Sequence, residues 1–103
     1  MIQERSLLFL MANLGSEVSR LLSWKAKGNS LQIEKCHGRA KKIISEIKQL
    51  RDIGERSKEM EILRMVISDT ASSSPSLRVT PKQLNDYFSP FTLRMMKSVE
   101  TPK

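Results

Sequence analysis

Cysteine occurs once in these 103 residues, at Cys36, so no disulfide within the chain can hold its fold. A lone thiol fits a reducing compartment, and a cytoplasmic location is the expectation. Aromatic side chains are scarce too, at 5%. Leu, Ile, Val and Met must therefore supply most of the core, and the stacked platforms of a single-strand nucleic-acid binder have little to be built from. With a single histidine, His37, beside that single cysteine, no recognised spacing of metal ligands occurs, and neither metal nor other cofactor is expected. Long apolar runs are missing as well. The run LLFLMA, Leu7 to Ala12, is far shorter than the roughly 20 residues needed to cross a bilayer. Glu4 offsets Arg5 ahead of it, unlike the basic start of a secretory signal, so no membrane partner is expected.

Phosphate-cradling glycine loops, a dinucleotide fingerprint and a nucleophile elbow are likewise absent. Carboxylate pairs such as Glu59 and Glu61 point to different faces of a helix. Catalysis is not expected.

What the chain does have is helical periodicity. Ile33, Cys36, Ala40, Ile43, Ile44, Ile47 and Leu50 recur at steps of three and four, the signature of one buried helix face. Each residue advances about 100° around a helix axis. Continued unbroken, that helix would bring Met60, Leu63 and Ile67 to its opposite side, so it must break near Asp52 to Glu55. Gly54 is suited to a left-handed stop, and Asp52 with Glu55 has capping-box spacing. Upstream, Leu7, Leu10, Met11, Leu14, Val18, Leu21 and Leu22 mark a first helix from about Ile2 or Asn13 to about Ala26, with Gly15 its weak point. Residues 1–12 form a frayed or extended N-terminal segment in this reading, and Met11 could itself serve as a start. Gly28, Asn29 and Ser30 supply a turn and the next N-cap, so the first two helices should form an antiparallel hairpin.

A third helix should reach about Ser68. Residues 70–79, overlapping the run DTASSSPS that begins at Asp69, read as an exposed connection. Beyond it, Thr80, Pro81 and Gln83 have the pattern of a capping box with proline at the first helical position. Ser89 and Pro90 repeat the start signal, predicting a second short helix. All four prolines follow a hydroxyl residue, and Ser74 and Thr101 stand as modest modification candidates outside the predicted helix starts. The expectation is one all-α domain over residues 1–103, a small bundle of three longer helices plus one or two short C-terminal ones.

The early portion resembles one unit of a tetratricopeptide repeat. Gly28 and Asn29 fall at that family's inter-helix turn, Trp24 at an aromatic position and Ala40 at a small one, whereas Arg20 and His37 depart from its apolar positions. No second unit follows at its roughly 34-residue period. The resemblance covers about a third of the chain and implies a helical hairpin.

Cys36 and His37 sit side by side, but adjacent helical residues diverge by about 100° and cannot readily converge on one atom. Cys36 belongs to the apolar stripe. His37 lies on its flank near Lys41 and Lys48, where neighbouring cations disfavour its protonated form. The net charge of +7 is concentrated here: between Trp24 and Arg51 eight cations face only Glu34 and Glu46. Lys35, Arg39 and Lys42 fall on one side of the second helix's polar face, Lys41 and Lys48 on the other, and together they are the candidate contacts to nucleic acid. Met60, Met65, Tyr87, Phe88, Phe91, Met95 and Met96 are the candidate protein contacts, since methionine and aromatics suit adaptable docking. A non-catalytic interaction or self-associating module, such as a homodimer, is the leading expectation. A nucleic-acid-binding accessory protein is the alternative.

Overall fold

The computed structural model describes residues 2–51 and 53–100, with side chains for residues 7–51 and 53–94. Four helices account for it: α1 (Ile2–Lys27), α2 (Ser30–Lys48), α3 (Arg56–Ala71) and α4 (Pro81–Glu100), with no strand among the described residues.

The α1–α2 hairpin arises from its turn chemistry. Gly28 adopts φ +72°, and its N–H bonds the Lys25 carbonyl while that of Asn29 reaches Trp24, a Schellman closure that needs a left-handed residue. Asn29 then caps α2, its side chain accepting from the Gln32 N–H at 3.1 Å. Met11, Leu14, Val18 and Leu21 face Cys36, Ala40, Ile44 and Ile47, all at most 1% exposed. Leu7, Leu8 and Leu10 pack partly against this core, so the first turns of α1 with described side chains contribute to packing.

The break after α2 falls earlier than the phase argument placed it. Lys48 is the last helical residue, the N–H of Gln49 bonds the Glu46 carbonyl and that of Leu50 the Ile47 carbonyl. Gly54 is left-handed, φ +53°, but lies just before α3 rather than at the end of α2. Asp52 lies outside the described residues, and Glu55 occupies the α3 N-cap without a side-chain cap bond. α3 runs on to Ala71, so Thr70 and Ala71 belong to the helix and not to the connection. Asp69 anchors the connection after α3 by accepting from the Ser76 N–H and hydroxyl and the Leu77 N–H, at 2.8, 3.1 and 3.0 Å.

The capping box at Thr80 forms in both directions. Its hydroxyl accepts from the Gln83 N–H at 3.1 Å, and its own N–H donates to Oε1 of Gln83 at 2.9 Å. The second predicted start does not form: α4 continues through Ser89, with Pro90 in its interior. Leu84, Phe88 and Phe91 explain why. They succeed one another by four and three residues, all are buried, and docking this single stripe outweighs the local stop signal. The C-terminal part is thus one 20-residue helix, not two short ones.

α1 packs against both α2 and α4, and α2 packs against α3. No α3 Cα comes within 8 Å of an α4 Cα among the described residues. Side chains alone bridge those two helices, and a groove remains between them.

Candidate functional site

The basic candidates on α2 do not form one surface. Arg39 turns toward α1, where its Nε donates to Glu17 at 3.0 Å, and Arg20 meets the same carboxylate at 3.0 Å. The hydrogen bond to Glu17 holds the Arg39 guanidinium above its ordinary pKa. Lys48 pairs instead with Glu61 of α3, which also accepts from Arg64 at 3.1 Å. The Lys48 hydrogen bond, then that from Arg64, pulls the Glu61 carboxyl below its usual range. Lys35, Lys41 and Lys42 are exposed and make no ion pair among the described residues. Two of the five predicted contacts are therefore committed to carboxylates. Neither acid was legible as a partner: Glu17 lies 22 residues from Arg39 in sequence, and only the helix pairing brings them together.

The Cys36–His37 pair separates as their helical phase requires. Cys36 is a free, fully buried thiol. The ring of His37 turns toward α3, and its Nε2 shares a 2.9 Å hydrogen bond with Oγ of Ser68. Burial, then Lys41, lowers the His37 pKa. A neutral imidazole beside a serine hydroxyl is the start of a nucleophile–base pair, but among the described residues no group hydrogen-bonds Nδ1 to complete a triad. An open cleft of about 680 Å³ adjoins it, lined in part by Lys25, Leu31, Glu34 and His37. Lys25 closes one side by donating to the Ser72 carbonyl.

The protein-contact candidates divide by burial. Met60, Phe88 and Phe91, at 0, 4 and 9% exposure, are core residues. This corrects their assignment to a contact surface: Met60 faces the interior from α3, and the two phenylalanines are the stripe that docks α4. Met65 is 58% exposed. Tyr87 is half-buried and donates its hydroxyl to Glu59. Desolvation, then that carboxylate, raises its pKa well above the ordinary phenol value. The side chains of Met95 and Met96 lie outside the described residues.

Tyr87 leads to a surface the composition did not reveal. Its bond to Glu59, with Arg56 lying 5.8 Å over the Phe91 ring, ties α3 to α4 at one end. At the other end the connection returns through Val79. Between them lies a groove of about 450 Å³ with Leu63 and Leu84 as floor, and Ile62, Val66, Gln83 and Tyr87 among its walls. Ile62 is 63% exposed, and Leu77 of the connection is 49% exposed. The hint in the sequence was an α3 whose apolar residues exceed one stripe: Ile62 and Met65 fall off the Met60–Leu63–Ile67 face.

Among the described residues no cluster of His, Cys, Asp and Glu could hold a metal ion. Nor is any described helix long and apolar enough to cross a membrane. Comparison of the chain with protein-family models, curated proteins and solved structures finds no match.

Proposed function

We propose that this chain is a non-catalytic protein-interaction module of the cytoplasm whose contact surface is the α3–α4 groove. The observation that carries the reading is the standing apart of α3 and α4, which leaves an apolar trough with the exposed side chain of Ile62 on its wall. Such a trough has the form that accepts the apolar face of a helix. Large apolar side chains clustered on one surface, rather than scattered, mark interaction sites.

The reading is tested by titrating the ¹⁵N-labelled chain with an amphipathic peptide helix that carries leucines along one face. Amide shifts should concentrate at Ile62, Val66, Val79 and Gln83. A peptide that shifts nothing, or that shifts only α2, would overturn it.

A second reading rests on Lys35 and Lys42, two cations on one flank of α2 that no described carboxylate pairs, with Lys27 lying 5.0 Å over the Trp24 ring nearby in the hairpin. These would meet a phosphate backbone. The reading is the weaker one because Arg39 and Lys48 are held by Glu17 and Glu61.

A further inference from the structure

We infer that the outer side of α3, which meets the groove at Ile62, docks a second copy of the chain, its α3 antiparallel to the first about a two-fold axis between Ile62 and Met65. The inference rests on the interaction reading above and extends the contact surface from the groove to the neighbouring side of α3.

The outer side of α3 carries four residues at steps of four, three and four: Lys58, Ile62, Met65 and Asp69. At about 100° per residue these stay within a narrow stripe, and the stripe is turned to solvent. Lys58 is exposed, Asp69 partly so, and Ile62 and Met65 are 63% and 58% exposed. Read from either end, the order is charge, apolar, apolar, charge, with opposite signs at the two ends. A two-fold axis at its midpoint sets Ile62 of each copy against Met65 of the other, and Lys58 of each against Asp69 of the other. An interface of this kind must be self-complementary, and this stripe is so in both size and sign.

Orientation is set by charge. A parallel pair would oppose Lys58 to Lys58 and Asp69 to Asp69, which is unfavourable, whereas the antiparallel pair matches each cation with a carboxylate. Lys58 has no acidic partner among the described residues. Asp69 is already held by Ser76 and Leu77, with Lys25 also acting on its charge, so a partner's Lys58 meets it as an added contact that sets orientation more than affinity. Val66, one residue past Met65, would lie at the edge of the contact and open it into the groove. Net charge of +7 on each copy opposes association and makes the dimer weaker at low salt than at high salt.

Sedimentation velocity of the full chain over a wide concentration range should show a monomer–dimer equilibrium. Met65→Glu should weaken it at least tenfold, and Lys58→Glu several-fold, with far-UV circular dichroism unchanged in both. Because Cys36 is buried, engineered thiols report cleanly. A mixture of Ile62→Cys and Met65→Cys chains should form a mixed disulfide under mild oxidation. Lys58→Cys should not link to itself, since two such positions lie about 16 Å apart along an antiparallel pair. A folded chain that stays monomeric throughout would overturn the dimer, while groove shifts with the peptide would still uphold the interaction reading. Self-linking of Lys58→Cys, or a dimer indifferent to Met65→Glu, would also overturn it.

Discussion

At Gly15 the missing side chain is what lets α4 close on α1. A Cβ built there would lie 2.9 Å from Cβ of Phe88 and 3.0 Å from its Cγ, and neither atom is a flexible tip that could swing away. Gly15→Ala should therefore lower stability by about 1–3 kcal/mol through overpacking, although alanine is the better helix former by about 1 kcal/mol. Gly38 is the matched control: exposed in α2, with nothing within 4 Å of its virtual Cβ. Gly38→Ala should raise stability by about 0.5–1 kcal/mol, so urea midpoints of the two variants should move in opposite directions. The residue that looked like a flaw in the first helix is thus a packing site, which a periodicity count cannot register. His37 gives a second prediction at this scale. Its folded pKa lies below the ordinary value of 6.5, so the unfolded chain binds the proton more readily. The stability linked to the neutral ring is present above pH 6.5 and is lost as pH falls through the folded value. Glu61 and Asp69, both pulled below their ordinary values of 4.5 and 3.8, add their losses only at more acid pH. Thermal melts should decline between about pH 7 and 5, and His37→Gln should flatten that slope without altering the acid limb.

The elements divide into those fixed by local chemistry and those fixed by packing. The hairpin turn and the start of α4 were legible because Gly28, Asn29, Thr80 and Gln83 each perform their role within a few residues of their own position. The break between α2 and α3 was legible through phase, since the Ile43–Ile47 and Met60–Ile67 faces could not share one straight helix. Ser89–Pro90 misled because the same start signal was overruled by Leu84, Phe88 and Phe91, whose common face becomes decisive only when α1 lies against it. Pro90 is then a burden the helix carries: it removes one backbone donor and crowds the carbonyl four residues back. It is exposed and makes no core contact that replacement would lose. Pro90→Ala should raise the urea midpoint, by an amount corresponding to about 1–3 kcal/mol, and deepen the helical circular dichroism signal. A loss of stability would mean that the proline is needed to fit α4 along α1. The groove was not legible at all, because no single helix encodes the distance between α3 and α4. It is a consequence of α1 engaging α4 while α2 engages α3.

For the whole molecule, the question is what a charge of +7 is for, and pairing decides how much of it is available. In sequence, Lys35, Arg39, Lys41, Lys42 and Lys48 form one basic strip, and five phosphate contacts to duplex DNA would give a log–log salt slope of about −4.5. In the folded chain Arg39 is bonded to Glu17 and Lys48 to Glu61, while Lys41 lies on the far flank from Lys35 and Lys42. A duplex laid on the α1 side of α2 then meets Lys35, Lys42 and at most one neighbour such as Lys27, so the slope should be no steeper than about −3, with binding confined to low salt. Reversing Lys35 and Lys42 to glutamate should remove it. Glu17→Gln supplies the sharper arm of the experiment, because it releases Arg39 and Arg20 together without adding a cation to the chain. If ion pairing is what withholds them, the slope should steepen by about one to two. A slope near −4.5 in the unaltered chain would mean that both arginine and lysine leave their carboxylates for phosphate, and would put nucleic acid ahead of protein as the partner.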